Sequence, residues 1–550
     1  DWYNSYSPKI NGASASFLRK YERNRSAVVS HNGQFAIFGA DWDIYCLDGS
    51  GNLLWEKPVP DAAWAVNISG DDKLVVATLS DGTIRWYNAT DGKELLALFV
   101  HSATKKWVMW TPEGYFDHSP GGETLVGYHI NKGYDKEATF LSVDKFYDTY
   151  YRPDIILASI SGKDISTIAK NDINKGIKLP PEITIITKTV VDGSERGLKL
   201  TQKKADFTFD YDNIAADLKA VDQGGGIKRI RFYLNDKMIV EDDNITIKSG
   251  VFERSYQITL QSGFNVLKAV GYSEDGTESN GFVITYQVNK KVVDKPNMYI
   301  VGIGINKYKN SQYNLEYCIP DVDGFISAIS PKSQKLFNNV IVSKIYDNEA
   351  NKANILAQFN DLKSKIKPED VFIMYYSGHG VALAIDDVNT EFFYVLHNVV
   401  QMTNLNFANK EAISGTELRG LLKDIKATKQ VVFVDACNSG AFTDLFAMKG
   451  AAEENALAKL SKASGTVIFA STNADQFATE FHVLGHGIFT YTLLDGLLDN
   501  KAAKSNGQIT VSSLNDFLYE QFPVFTKKYK GSEQYLKTFI FGQDFPIGIK

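Results

Sequence analysis

The chain has 550 residues, 44% of them hydrophobic and 12% aromatic, with a net charge of −6. That length exceeds what a single core serves, so two to four domains are expected, and the apolar content excludes extensive disorder. A pI near 5.9 with scattered lysines and arginines excludes a nucleic-acid or anionic-lipid footprint, and the strongest apolar runs are strand-length, too short to span a bilayer. Three cysteines, Cys46, Cys318 and Cys437, stand far apart with neither metal-ligand nor disulfide spacing. Such sparse usage fits a reducing, cytoplasmic setting. The chain opens Asp1-Trp2, with no initiating Met and no signal-peptide pattern, which places the expected native start upstream.

The first region repeats. HNGQFAIFGADWDIYCLDGSGNLLW (residues 31–55) and SGDDKLVVATLSDGTIRWYNATDGKELL (residues 69–96) align at an offset of 39 to 40 residues. Each has a polar turn, an apolar strand, an alternating strand ending in aromatics, and a Gly-containing turn. This predicts WD40-type β-propeller blades over residues 1–150, incomplete because fewer than three blades fit and a ring needs at least four. A small open β-sheet is the alternative. The bridge TPEGYFDHSPGGETLVGYHINKG (residues 111–133) carries His118 and His129 at poor ligand spacing, so no metal is predicted there.

From Pro180-Pro181 the texture changes to ITIITKTVV, DFTFDYD, IKRIRFYLNDKMIV, YQITLQ, FNVLKAVGY and FVITYQV, strands at regular spacing with polar turns. They predict an immunoglobulin-like β-sandwich over residues 181–290, without a Cys pair and with nothing catalytic in it.

From Met298 onward apolar runs (MYIVGIGI, VIVSKIYD, VFIMYYSG, FFYVLHN, VVFVDAC, TVIFAST) alternate with amphipathic segments such as DVDGFISAIS, NKANILAQFNDLKSKI and GTELRGLLKDI. Continuous apolar strands linked by helices predict a mainly parallel sheet flanked by helices over residues 297–548. Reactive groups gather at the carboxyl ends of such strands. His379, in FIMYYSGHGV, and Cys437, in VVFVDACNSGAF, lie at two of them, 58 positions apart. A thiol near its free pKa needs a neighbouring imidazole to become a nucleophile, so if the two strands are adjacent the pair forms a dyad. The backbone N–H groups of Gly380 and Cys437 are candidates for an oxyanion hole.

The pairing of Ser377-Gly378-His379-Gly380 with Asp435-Ala436-Cys437-Asn438-Ser439-Gly440 resembles the caspase and metacaspase family, whose bacterial members often carry WD repeats upstream. GIGINKY, CIPDVDGF, ISGTELRGLL, ASTNADQFATE and GHGIFTYTLLDGLL extend the likeness over residues 297 to about 548, and WTPEGYFDHSPGG resembles the tail of the WD region in such proteins. The resemblance implies a caspase-like cysteine endopeptidase acting on protein substrates, with Cys437 as nucleophile and His379 as base. His486, in Gly485-His486-Gly487, is a rival base ranked below His379 because it precedes a helix rather than ending a strand.

Asp435 departs from aspartate-specific caspases, which resemble Gln-Ala-Cys at the nucleophile. Two residues before Cys437 it points to the same side of the strand. With Asp321 and Ser377, which match metacaspase pocket positions, it predicts a site for Arg over Lys, since two converging carboxylates repel unless a cation joins them. Otherwise Asp321 caps its helix and Asp435 braces a loop. Asp475 and Gln476 are weaker substrate-binding candidates. No cofactor is predicted: of the acidic residues that mark calcium-activated metacaspases Asp444 matches, but the expected acidic pair is Gly415-Thr416. The segment 445–465 corresponds to the linker cut when caspases activate, and Lys449, Lys459 and Lys462 are compatible with self-cleavage; an ordinary Ala-rich helix is the alternative. An Asp-specific protease and a catalytically idle scaffold are the alternatives. A regulatory protein bound by the β-domains is a further expected partner, and neither nucleic acid nor membrane is.

Overall fold

A computed structural model of the chain describes residues 2–135, 137–191, 194–196, 207–209, 212–289, 295–385, 390–438, 446–471 and 484–550. They form two compact units that divide between Ile177 and Lys178.

In the first unit, antiparallel strands Asn24–Val29, Phe35–Ala40, Asp43–Asp48 and Leu53–Pro58 make one sheet. A second sheet continues with Ala63–Ile68, Leu74–Leu79, Thr83–Asn88 and Glu94–Val100, then Trp107–Trp110 and Phe116–His118. Strand starts at 24, 35, 43 and 53 recur at 63, 74, 83 and 94, so the sequence repeat is a repeat of structure. Ile37, Ile44, Cys46, Val75, Ala77 and Tyr87 share one core, as the alternation demands. Burial pushes the Cys46 thiol up to about 12, which makes it a packing residue. The unit runs on to Ile177. Helix Pro153–Ile160 buries Ile155, Ile156 and Ala158, and the tail is tied down by Asn171 N on Tyr115 Oη (2.6 Å) and Ile173 N on the Glu113 carbonyl (2.9 Å). His118 is buried against the Glu123 carboxylate at 3.0 Å.

The second unit begins with two β-sheets on a common core. One contains Glu182–Val191, Asn213–Val221 and Val251–Thr259; the other contains Arg229–Leu234, Lys237–Asp242, Gly263–Tyr272 and Phe282–Val288. Ile185, Ile214 and Leu218 of the first meet Ile230, Phe232, Leu267 and Ile284 of the second. Each such side chain contributes about 1.5–3 kcal/mol on burial.

The α/β part follows in the same unit: β1 (Met298–Gly304), α1 (Cys318–Ser333), β2 (Val340–Tyr346), α2 (Lys352–Lys365), β3 (Val371–Ala384), β4 (Thr390–Tyr394), α3 (Leu405–Glu411), β5 (Ile413–Ser414), α4 (Gly415–Asp424), β6 (Lys429–Asn438), α5 (Phe446–Ser464), β7 (Val467–Ala470), α6 (Ile488–Leu498), β8 (Gln508–Thr510), α7 (Val511–Lys530), β9 (Lys537–Phe539) and β10 (Pro546–Ile549). The main sheet has the order β2-β1-β3-β6-β7-β9; its first five strands are parallel and β9 is antiparallel. Helices α1, α6 and α7 cover one face, where Ile373, Tyr375, Val431 and Phe433 join Val322, Phe325, Phe489 and Leu514.

Two expectations change. The run SGHG is not a turn: β3 continues through it to Ala384, and FFYV returns beside it as antiparallel β4 rather than as a strand of the parallel ladder. Antiparallel pairing with β4 from Gly380 to Ala384 carries the strand past the glycines. Segment 445–465 is largely helix α5, whose Leu457, Ala458 and Leu460 are buried. Among the described residues no helix is long and apolar enough to cross a membrane.

The sandwich and the α/β part are joined by polar contacts. Lys237 Nζ, 1% exposed, donates to the carbonyls of Lys423 (3.0 Å) and Ile425 at the end of α4. Gln261 Nε2 donates to the Pro368 carbonyl (2.7 Å) and Thr428 Oγ1 (2.6 Å). Arg419 and Lys462 pair with Glu241 (3.5 Å) and Glu278 (3.6 Å) of the sandwich.

Candidate active site

The site follows from the alternation of β3 and β6. Ile373 and Tyr375 on β3, and Val431 and Phe433 on β6, point into the core beneath α1 and α6. Two residues on, the same side of each strand carries Ser377 and Asp435, and four on, β3 carries His379 there. The ladder pairs Ser377 with Asp435 and His379 with Cys437. Strand β1 ends its pairing at Gly304 opposite Ser377, so positions 379 and 437 lie just past the top of the β1–β3 ladder. Adjacent strands lie about 4.8 Å apart, so the backbones at 379 and 437 are neighbours.

His379 is buried, and its ring is oriented by the loop between β1 and α1. Nε2 lies 2.8 Å from the Tyr313 carbonyl. A carbonyl only accepts, so Nε2 carries the proton and Nδ1 is the basic nitrogen. The Tyr308 ring stacks obliquely at 5.0 Å, and its hydroxyl accepts the His379 backbone N–H at 3.0 Å. Tyr376 Oη donates to the His379 and Val395 carbonyls at 2.6 and 2.8 Å. The loop is itself fixed by Asp347 Oδ1, which accepts from Asn306 N and Lys307 N at 2.8 Å each, and by Asn314 Oδ1, which accepts from Tyr308 N at 2.8 Å. The base therefore sits among groups whose own partners are satisfied.

Gly380, the neighbouring oxyanion candidate, pairs with Tyr394 on β4 and Asn438 on β6. The Phe392 ring occupies the space that a Cβ at residue 380 needs, so only glycine is accommodated there.

The three pocket residues lie on this same face. Ser377 is 2% exposed. Asp435 is half-buried and accepts from Thr490 Oγ1 on α6 at 3.1 Å; the Tyr375 hydroxyl in turn lies 2.6 Å from Thr490 Oγ1. Asp321, on the first turn of α1, is 3% exposed, and its Oδ1 accepts from His486 Nδ1 (3.0 Å) and Gly487 N (3.1 Å). It fastens the start of α6 to α1. The two carboxylates converge: a Cβ on Gly487 would lie 3.1 Å from Asp435 Oδ2 and 3.3 Å from Asp321 Oδ2. Burial raises the Asp321 carboxyl above the ordinary carboxylate range. Burial, and then repulsion from Asp321, pushes Asp435 up to about 7.

Asp475, Gln476 and Asp444 lie outside the described residues. Among the described residues no three His, Cys, Asp or Glu side chains gather as a metal ion needs. His486, Gly487 and Thr490 contact the two carboxylates and are not found by strand-end reasoning. Their signal in the sequence is a Gly-His-Gly followed within one helical turn by a threonine, but the carboxylate it meets is 165 residues away.

Residues 299–535 match the family model of the caspase domain, Peptidase_C14. The C-terminal part of the chain is thus a caspase-like α/β domain of a cysteine-peptidase family. Among solved structures, a protein from Geobacter sulfurreducens is 15% identical, with 46% of this chain and 95% of that one covered at a TM-score of 0.30. The fibronectin(III)-like modules of CbhA from Clostridium thermocellum are 17% identical, with 16% of this chain and 88% of that one covered at a TM-score of 0.13. No curated protein sequence matches the chain.

Proposed function

We propose that this protein is a cysteine endopeptidase that cleaves protein substrates after Arg, and less well after Lys, using Cys437 as nucleophile and His379 as general base and then acid. The observation that carries the reading is the ladder in which His379 pairs with Cys437 while Ser377 pairs with Asp435, so that a dyad and a carboxylate share one face of one sheet. In this scheme His379 Nδ1 takes the Cys437 proton and the sulfur attacks the scissile carbonyl carbon. The N–H groups of Gly380 and Cys437 bind the oxygen as it gains charge. The imidazolium returns the proton to the amine as the C–N bond breaks. Water, activated by the same nitrogen, then hydrolyses the thioester. No cofactor or metal takes part in these steps, and calcium is not required by them.

Asp321, Ser377 and Asp435 form the first specificity pocket, bordered by Asp475 and Gln476. A carboxylate held near 7 gains its charge most readily when a guanidinium arrives beside it, which favours the fixed cation of Arg. An aspartate side chain would meet two carboxylates there, and this disfavours the Asp-specific alternative. Residues 1–150 are read as WD40-type blades and 181–290 as an immunoglobulin-like sandwich that recruit substrates or a regulatory protein, in the cytoplasm. Self-cleavage within 445–465 requires α5 to unwind locally, because peptidases take extended backbone; Lys449, in its first turn, is the position where fraying starts.

Fluorogenic peptides ending in Arg, Lys, Asp or Asn before the cleavable bond test the reading. Turnover of the Arg peptide above the Lys peptide, and of neither other, is expected. Turnover of only the Asp peptide overturns the pocket assignment, and no turnover under any condition favours the idle scaffold.

A further inference from the structure

We infer that His486 is a specificity-positioning residue of the pocket: it engages Asp321 by hydrogen bond, leaving Asp435 as the carboxylate that receives the substrate's cation. This rests on the basic-pocket reading above and changes its chemistry. Two free carboxylates were expected to face the substrate, whereas one of them already has a partner within the chain.

The geometry is built for that partner. His486 Nδ1 lies 3.0 Å from Asp321 Oδ1, and the next backbone N–H, from Gly487, reaches the same oxygen at 3.1 Å. The imidazole lies flat along α1 in a slot left by a missing side chain: a Cβ on Gly324, one turn beyond Asp321, would come 2.8 Å from His486 Cε1. Leu494 closes the other side of that slot, 3.3 Å from the same point. Asp321 is 3% exposed beneath this arrangement, whereas Asp435 is half-buried. Their Oδ2 atoms both face the Cβ position of Gly487, at 3.3 Å for Asp321 and 3.1 Å for Asp435, so the two carboxylates converge there. With His486 and Gly487 bonded to Asp321, Asp435 is the carboxylate left to meet a single guanidinium or ammonium.

Among the described residues, Thr490 and Ser471 donate hydroxyls toward Asp435, Thr490 also toward Asp321, Lys530 at the end of α7 lends positive charge, and Tyr375 adjoins from β3.

The prediction concerns how KM depends on pH. In the wild type, KM for an Arg peptide should rise as pH falls and Asp435 gains its proton. Taking the imidazole off Asp321 removes a donor from that carboxylate and makes a doubly ionised pair harder to form, so this acid limb should move upward by about one pH unit or more. His486→Asn shortens the side chain that reaches Asp321, and Gly324→Ala keeps the histidine but pushes its ring aside. Both should shift the limb in the same direction, whereas His486→Ala adds a loss of kcat through the loosened start of α6. An unmoved limb in His486→Asn, or activity lowered equally at every pH, makes His486 merely structural and overturns the inference. Failure of the underlying reading looks different: the wild type would show no acid limb in KM for Arg peptides, or Asp435→Asn would leave that limb in place.

Discussion

His379 Nε2 donates to the Tyr313 carbonyl at 2.8 Å, and this contact fixes the tautomer of the ring. Because Nε2 holds its proton on a backbone oxygen, Nδ1 has the lone pair, and the proposed dyad needs no third side chain to orient it. The carbonyl belongs to a loop whose polar groups are bonded to Asp347 and Asn314, so the orienting contact is as rigid as the loop.

Tyr308 holds the backbone of the base and touches neither substrate nor thiol in the proposed mechanism. Tyr308→Phe removes the acceptor of the buried His379 N–H, which costs about 1–3 kcal/mol of stability and frees the strand to shift. A shift of about 1 Å at the reacting groups costs on the order of 100-fold. The expected outcome in steady-state kinetics is a kcat lowered about 10- to 100-fold with KM within about twofold.

Asp435 sets an activity–stability trade-off. Its folded carboxyl is held at about 7 against an ordinary value of 3.8. The folded state therefore keeps this proton to higher pH than the unfolded state. The stability so contributed is full below 3.8 and is lost as pH rises through 7. Asp435→Asn cannot titrate and still accepts from Thr490. It should raise the unfolding free energy at pH 8 by about 1–4 kcal/mol and leave it unchanged near pH 4. The same variant should lose about 100-fold in kcat/KM for Arg peptides. Denaturation at the two pH values, beside the peptide assay, checks both halves.

Lys237 couples the sandwich to the α/β part. Burial lowers its ammonium to about 7 from 10.5, while Nζ serves two carbonyls at the end of α4. Lys237→Ala leaves a cavity and unsatisfied carbonyls and should destabilise by about 2–4 kcal/mol, against under about 1 kcal/mol for Arg419→Ala at the more exposed Glu241 pair. Between pH 7 and 10.5 the unfolded chain binds this proton and the folded one does not. Wild-type stability should rise across that window, and the variant should lack the rise. Denaturant titrations across the window measure it.

The adjacency of positions 379 and 437 was legible because each half is a local pattern. One apolar run reaches Asp-Ala-Cys and another reaches Ser-Gly-His-Gly, each forms a strand, and a parallel sheet does the pairing. The repeat at residues 31–96 was legible for the same reason, since its period is written in the chain. What stayed hidden depends on residues far apart in sequence. Nothing near Asp321 announces His486, and nothing near His379 announces the carbonyl of Tyr313. The glycines of SGHG read as a turn because glycine usually breaks strands, yet here Phe392 and Tyr308 pack where side chains at 380 and 378 would stand. The Ala- and Lys-rich segment after Cys437 left a cut linker and a helix both open, and the structure forms helix α5 there with Leu457, Ala458 and Leu460 buried.

The most direct test of the account is covalent. Peptides ending in an arginine or an aspartate chloromethyl ketone are incubated with the full chain, and the modified residue is located by mass spectrometry of the digest. The account predicts one adduct from the arginine reagent, on the fragment containing Cys437, lost in Cys437→Ala and strongly slowed in His379→Ala, with no adduct from the aspartate reagent. Labelling of Cys46 or Cys318 in place of Cys437, or labelling by the aspartate reagent alone, contradicts it.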